Sequence, residues 1–178
     1  FTGRPNLTIS AWIKPFSGAT WQGIFGPTNT GGCSQLAGYD FIVYQNSQLR
    51  FDYGSGTNCA NHYTAANSIT LGQWQHVAVV VTSTSKIRLY VNGQPSGGEG
   101  NLTLDIASQL SPAKIGRGFN SASQSYKGSI DEVRLYNRVL SAQEITDLYN
   151  LGSTTPPTPT PTPTTPPPAT NTFPKGTF

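Results

Sequence analysis

The stretch GSIDEVRLYNRVLSAQEI, from Gly128 to Ile145, joins the pattern of a β-strand to the start of a helix. Ser141 and Glu144 form a capping box, in which each side chain accepts a hydrogen bond from the backbone N–H of the other residue. Leu140, just before the cap, and Ile145, at the fourth helical position, form the matching hydrophobic staple. The stretch therefore predicts a strand followed by a short helix, which we expect to dock on one edge or end of the domain.

Strand patterns recur through the chain before this stretch. Leu7, Ile9 and further alternate positions of the first one are apolar, as expected of a strand with one buried face. Asn46 and the pair Asn92-Gly93 mark hairpin turns, because Asn and Gly tolerate the left-handed backbone conformation. The stretches are LTISAWIK (7–14), GYDFIVYQNSQLRFDYG (38–54), WQHVAVVVT (74–82), KIRLYVNG (86–93) and AKIG (113–116). Many short strands separated by turns predict an all-β sandwich or jelly roll.

The two cysteines flank the first of these hairpins. The hairpin aligns Phe41 with Phe51, and the residue numbers of each aligned pair have the same sum as those of Cys33 and Cys59. We therefore predict a disulfide between Cys33 and Cys59, which would stabilise the fold by roughly 3 kcal/mol and implies an oxidising compartment. Two unrelated buried thiols, or half of a metal site, remain the alternatives.

The composition excludes some classes of partner. Charged residues make up 11% of the chain, the formal net charge is +3, and the basic residues are scattered. Without a Lys/Arg cluster or stripe, we expect no nucleic-acid partner. No apolar run is long enough to span a bilayer, so we expect no direct membrane insertion.

The composition changes abruptly after Gly152. Residues 153–170 read STTPPTPTPTPTTPPPAT and contain no large apolar side chain, so they cannot bury a core. We expect a disordered linker there, extended at about 3.1 Å per residue, toward another module of the same chain. A disordered tail is the alternative. The predicted organisation is a β-sandwich domain at 1–152, a Pro/Thr-rich linker at 153–170 and an unassigned segment at 171–178.

Taken together, LTISAWIKP, GQWQHVAVVV, KIRLYVNG and GSIDEVRLYNRVLSAQEITDLY resemble the laminin-G-like jelly-roll family of concanavalin A-like sandwiches. The resemblance covers about residues 5 to 150, and the last block is its most specific part. It implies a non-catalytic module of a secreted or cell-surface multidomain protein. Such modules bind glycans, bind protein partners or act as spacers, and several hold calcium. Members usually carry one or two strands before the TISAW strand, so we expect an N-terminally truncated domain whose last strand lies at a sheet edge.

Asp131 and Glu132 form the only acidic pair in the chain, which raises the question of catalysis. A retaining glycosidase needs two carboxyl groups about 5 to 5.5 Å apart. Neighbours on a regular strand point to opposite faces, and the residues two positions from Asp131, Ser129 and Val133, are not acidic. We therefore expect no enzyme. Ile130 breaks the apolar alternation, which indicates a bulge or burial on both faces.

Two roles are open for Asp131, and one is expected for Glu132. Asp131 shares strand parity with Val133 and Leu135, so we expect it to be buried and to accept backbone N–H bonds from a neighbouring loop. Its replacement by Asn would then destabilise the domain by roughly 1 to 3 kcal/mol. Alternatively, Asp131 is a calcium ligand, and Ca²⁺ is the one cofactor the sequence admits. Glu132 is expected to pair with Arg134 on the same face.

Sugar sites combine aromatic platforms with amide and hydroxyl donors. We expect Trp12 and Trp74 to be core residues and His76 to be structural. The ligand-binding candidates in loops are Trp21, Tyr63, Phe119, Asn120 and Tyr126, with Asn61 nearby.

The leading expectation is thus an extracellular, non-catalytic recognition or adhesion module, with carbohydrate as the favoured ligand and a surface protein as the other partner class. A purely structural spacer or protein-interaction domain is the alternative. A glycoside hydrolase domain is opposed by the spacing of the acids.

Overall fold

The computed structural model describes residues 2–17, 21–27, 36–108, 112–117 and 125–153. These residues form two antiparallel sheets and one helix. The strands are β1 (Leu7–Pro15), β2 (Gln22–Pro27), β3 (Ala37–Tyr44), β4 (Gln48–Ser55), β5 (Cys59–Tyr63), β6 (Gln75–Val81), β7 (Lys86–Val91), β8 (Gln94–Asn101), β9 (Ala113–Ile115) and β10 (Gly128–Tyr136), and the helix is α1 (Ala142–Ser153). Phe119, Asn120, Cys33 and the predicted linker beyond Ser153 lie outside the described residues.

The two sheets form a sandwich with one core. The helix-bearing sheet has the strand order β10-β1-β6-β7-β8, and the aromatic sheet has the order β5-β4-β3-β2-β9. Leu7, Ile9 and Ile13 of β1 are fully buried between the sheets, with Phe41 and Phe51 of the aromatic sheet in the same cluster. The predicted alternation, and with it the β-sandwich fold class, is confirmed. No helix among the described residues has the length and apolar character needed to cross a bilayer.

The two predicted hairpins are also confirmed. Strands β3 and β4 pair with Val43 opposite Leu49, and Asn46 in the turn has a φ of 57°. Strands β7 and β8 are joined by Asn92 and Gly93, with φ of 50° and 76°. Both turns use residues that enter the left-handed region at low cost, because Asn bonds locally and Gly lacks a Cβ.

Cys59 lies beyond the end of the β3–β4 ladder. The ladder between β3 and β4 ends where Ala37 faces Ser55, and a turn closed by the Ser55 N–H bond to the Asn58 carbonyl (2.9 Å) reverses the chain. Cys59 then starts β5 opposite Gly54. The β3–β4 ladder therefore does not itself reach Cys59, and the disulfide between Cys33 and Cys59 stays a prediction.

The start of α1 has the predicted capping box. The Ser141 N–H donates to Glu144 Oε2 at 2.8 Å, and the Glu144 N–H donates to Ser141 Oγ at 3.2 Å. Arg138 forms an ion pair with Glu144 at 2.7 Å. The Arg138 hydrogen bond, followed by the backbone bond from Ser141, lowers the pKa of Glu144 to about 2. The carboxylate therefore stays ionised at the positive end of the helix dipole.

The helix docks on a face of the sandwich and not on an edge or end. Leu140 and Ile145 are buried against Ala78, Val80 and Tyr90, which point outward from β6 and β7. The staple residues are thus confirmed, but the predicted docking position is wrong. Because Ala78, Val80 and Tyr90 form an apolar patch on the outer face of β6 and β7, that patch needs a cover, and α1 supplies it.

Replacing Ser141 with alanine is expected to lower the free energy of unfolding by about 1 kcal/mol, because the Glu144 N–H loses its acceptor. Urea denaturation followed by circular dichroism measures this loss. Gln143→Ala is the matched control, since Gln143 lies in the same turn and its side chain reaches only Asp147. That control should cost about 0.2 to 0.5 kcal/mol. Equal losses in the two variants would contradict a role for the cap.

Candidate functional site

The outer face of the aromatic sheet carries a cation–π cluster. The guanidinium carbon of Arg50 lies 4.7 Å from the ring centre of Trp21 and 4.4 Å from that of Tyr44. The two rings meet edge to face with centroids 4.7 Å apart. Trp21 has a φ of 62°, a conformation that bulky residues rarely adopt. The strained backbone at Trp21 indicates that packing or binding in this cluster outweighs the conformational preference of the residue.

Tyr63 extends this cluster to the edge of the sheet. It is the cross-strand partner of Arg50, and 51% of its surface is exposed. Directly beside this pair, Asp52 faces Asn61 on β5 and Asp40 on β3. The outer face thus presents the open aromatic ring of Tyr63 beside the exposed amide of Asn61. This is the combination that binds the apolar face and the hydroxyl groups of a sugar.

Asp52 is held in place by Arg50. Both Nε and one terminal nitrogen of the guanidinium lie 2.8 Å from Asp52 Oδ1. Only 5% of Asp52 is exposed, and this burial raises its pKa to about 6, although Arg50 acts in the opposite direction. Asp40 is fully buried beside it, over Gly26, where an added Cβ would lie 2.4 Å from Asp40 Oδ1. Neither carboxylate is therefore open to a ligand on this surface.

The structure brings two of the predicted ligand-binding residues together. Trp21 and Tyr63 lie on the same face, on either side of Arg50. Tyr126 does not join them, because its ring packs against the core and its hydroxyl is buried without a hydrogen-bond partner among the described residues. That burial raises the pKa of Tyr126. The sequence reasoning missed Arg50, although it shares the outward parity of Asp52 and Gln48 in the hairpin.

A groove of about 390 Å³ lies on the outer face of the helix-bearing sheet, beside the end of α1. Trp12 forms its base, with its ring 5.8 Å from that of Tyr149 and 5.7 Å from that of His76. Trp74 stands at the rim and is 45% exposed. The expectation that both tryptophans are core residues is wrong, since Trp12 points outward from β1 and Trp74 precedes β6.

A β-bulge in β10 brings both Asp131 and Glu132 to this groove. In the β1–β10 ladder, Ser10 faces Arg134 but Trp12 faces Asp131, so one extra residue enters β10 between them. Glu132 takes a φ of 51° there. Asp131 and Glu132 therefore both line the groove, as does Arg134. The predicted bulge is confirmed. The prediction that the two neighbouring acids face opposite sides is wrong, because it assumed a regular strand.

The bulge also overturns the burial expected for Asp131. Its carboxylate is exposed and accepts the N–H of Glu132 at 2.8 Å, not one from a neighbouring loop. Leu135, on the edge strand β10, is exposed too. The Glu132–Arg134 ion pair is confirmed. The described residues contain no group of three or more His, Cys, Asp or Glu side chains that could hold a metal ion, and Asp131 as a calcium ligand stays a prediction.

His76 lies beneath this groove. Its side chain is 3% exposed, and its Nδ1 is buried without a hydrogen-bond partner among the described residues. Burial, with a smaller contribution from Arg134, lowers the pKa of His76 to about 4. The imidazole is therefore neutral near pH 7.

Two relatives by sequence match only a small part of their own length. The Mus musculus protein named "Sushi, von Willebrand factor type A, EGF and pentraxin domain-containing protein 1" is 33% identical over 114 residues, 59% of this chain and 3% of that protein. The Danio rerio "Adhesion G-protein coupled receptor V1" is 26% identical over 159 residues, 82% of this chain and 2% of that protein. The chain thus spans about 2 to 3% of these relatives.

The fold is similar to that of Ruminococcus gnavus IT-sialidase CBM40. The TM-score is 0.69 at 14% identity, and the match covers 83% of this chain and 84% of that one. The same module bound to alpha2,3 sialyllactose matches with a TM-score of 0.65, at 13% identity and the same coverage. At such identities the likeness shows the fold alone.

A family model of laminin G type, described as the concanavalin A-like lectin/glucanases superfamily, matches residues 1–146. These residues contain both sheets and the start of α1. The chain therefore belongs to this laminin-G-like family of the concanavalin A-like lectin/glucanases superfamily.

Proposed function

We propose that this domain is a non-catalytic glycan-recognition module of a multidomain extracellular protein. The observation that carries the proposal is the outer face of the aromatic sheet, where exposed Tyr63 adjoins Arg50 and Asn61, and the Trp21 ring lies on the other side of Arg50. An exposed aromatic ring binds the apolar face of a sugar, while the exposed amide of Asn61 bonds its hydroxyls. The similarity to IT-sialidase CBM40, which has been solved with a bound sialyllactose, supports the same ligand class.

The non-catalytic role is supported by the state of the carboxylates. Asp40 and Asp52 form a cross-strand pair, but both side chains are almost completely buried. Asp52 also accepts a hydrogen bond from Arg50. Neither carboxylate can therefore reach a glycosidic bond. Asp131 and Glu132 are exposed, and Glu132 is paired with Arg134. The ion pair leaves Asp131 without a second free carboxylate beside it, and retaining hydrolysis requires two. Hydrolysis of polysaccharides by this domain alone would contradict this part of the proposal.

The extracellular setting rests on two supports. The Pro/Thr-rich stretch at 153–170 fits a spacer between modules of one chain. One of the relatives is named an adhesion receptor, and the other is named for several different domains. The partners we propose are glycans first, and surface proteins as the alternative class.

Replacing Tyr63 with alanine is expected to weaken glycan binding roughly tenfold, equivalent to about 1.4 kcal/mol, because the open stacking surface is removed. A glycan array identifies the ligand of the wild-type chain, and isothermal titration calorimetry compares the variants. Phe16→Ala is the matched control, since Phe16 is also an exposed aromatic residue but follows β1 in the other sheet. Unchanged affinity in Tyr63→Ala would remove this surface as the site. Failure of the wild-type chain to bind any glycan would favour the spacer or protein-interaction role.

A further inference from the structure

We propose that the groove beside α1 is a second ligand site, which takes a neutral sugar residue, on the sheet opposite the one assigned above. The inference rests on the proposed glycan recognition and extends it to a second, separate face. The groove is lined by the rings of Trp12 and Trp74, by Asp131 and by His76. A module with both sites would hold two glycan segments at once.

The aromatic part of the groove is held rigidly. Trp12 lies between the rings of His76 and Tyr149, and the last turn of α1 closes against its edge. A Cβ at Gly152 would lie 2.2 Å from Trp12 Nε1, so only glycine lets the backbone approach this closely. Trp74, by contrast, keeps much of its indole open to solvent. One fixed ring and one open ring form a platform for the apolar face of a pyranose.

The polar part of the groove supplies hydrogen-bonding groups that match hydroxyls. The Nδ1 atom of His76 is buried beneath the groove and has no partner among the described residues, which is costly unless a ligand or water satisfies it. Asp131 uses one oxygen for the Glu132 N–H, and its carboxylate is otherwise exposed to accept a hydroxyl. These groups lie within a volume of about 390 Å³, near the lower end of the ~300–1,000 Å³ typical of small-ligand sites.

The charges at the rim decide which ligands fit. Asp131 and Glu132 are both negative, and the guanidinium of Arg134 is already paired with Glu132. An acidic sugar or a phosphate would therefore meet net repulsion in this groove. A purely apolar partner would bury these carboxylates without compensation. A neutral sugar satisfies both constraints, since it offers hydroxyl donors and an apolar ring face.

The three tryptophans of the chain allow the two faces to be tested separately. In a Trp21→Phe variant, both remaining indoles line the groove. Cellohexaose, maltohexaose, xylohexaose and arabinotriose serve as neutral probes, and alpha2,3 sialyllactose serves as the acidic comparator. We expect at least one neutral probe to give a saturable change in tryptophan emission and to shift the ¹⁵N signals of His76, while sialyllactose leaves both unchanged.

Two groove variants and one control complete the design. Trp74→Ala and Asp131→Ala are expected to weaken this response at least tenfold, and both residues are exposed enough for the fold, checked by circular dichroism, to be retained. Tyr63→Ala should leave the response unchanged. If no neutral probe alters the emission of the Trp21→Phe variant, or if only sialyllactose does, the second site is overturned. Glycan binding that is lost in Tyr63→Ala but unaffected by Trp74→Ala would leave the proposed function standing and the second site refuted.

Discussion

Replacing Ile145 with alanine is expected to lower the free energy of unfolding by about 2 to 5 kcal/mol. Ile145 is fully buried between α1 and the outer face of β6 and β7, where it contacts the cluster that contains Val80 and Tyr90. An isolated helix of 12 residues is marginal in water, so α1 depends on this docking for its structure. The loss should therefore include both the cavity and the weakened helix.

Urea denaturation followed by far-ultraviolet circular dichroism measures this effect. Leu151→Ala is the matched control, because Leu151 lies on the same helix but is 67% exposed. The control should stay within about 0.5 kcal/mol of the wild type. Since Tyr149 of α1 stacks on Trp12, Ile145→Ala should also shift tryptophan emission toward that of exposed indole. A loss below about 1 kcal/mol would show that α1 is not anchored through Ile145.

The second large effect is a pair of opposite pH dependences, one from His76 and one from Asp52. Burial lowers the pKa of His76 from its unfolded value of 6.5 to about 4. Between these values the unfolded chain binds more protons than the folded one, so acidification destabilises the fold. The contribution of the neutral imidazole is fully present above pH 6.5 and is lost by pH 4. Its size is about 3 kcal/mol at 1.36 kcal/mol per pKa unit.

Asp52 acts in the opposite direction. Burial raises its pKa from 3.8 in the unfolded chain to about 6 in the folded one. Between these values the folded chain binds more protons, so acidification stabilises the fold. This contribution is fully present below pH 3.8 and is lost as the pH rises through 6. Its size is again about 3 kcal/mol, and the two groups therefore nearly cancel between pH 4 and 6.

Single variants should separate these two contributions. In His76→Gln, the free energy of unfolding should rise as the pH falls from 6 to 4, because only the Asp52 contribution remains. In Asp52→Asn it should fall over the same range, because only the His76 contribution remains. Urea titrations at several pH values give both slopes, and the wild type should lie between them. Slopes of the same sign in the two variants would show that burial does not control the pKa values of His76 and Asp52.

Much of the fold follows from local sequence patterns. The alternation of Leu7 and Ile9, the turn at Asn46 and the cap at Ser141 each depend on a few neighbouring residues, and the structure contains all three. The family match covers residues 1–146, which include all three. The stretch GSGTN at 54–58 also carries a turn signal, and the turn that it forms places Cys59 at the start of β5.

The candidate sites depend on contacts between distant parts of the chain. Arg50 becomes the centre of a cation–π cluster only because Trp21, from before β2, packs on it. Trp12 faces outward, as the alternation along β1 implies, but the alternation does not reveal that α1 packs against it. Strand periodicity assigns residues to faces, but it does not say which element covers each face.

The stretch from Gly128 to Ile145 shows which features local sequence specifies and which depend on the folded chain. Its sequence alone determined a last strand, a capped helix and membership of a β-sandwich family, because those features depend on local hydrogen bonds and on the period of apolar side chains. That Asp131 and Glu132 share one groove follows from long-range strand pairing and not from local sequence. Their placement requires the bulge in β10, and that bulge arises from the register between β10 and β1, which lie more than a hundred residues apart in the chain.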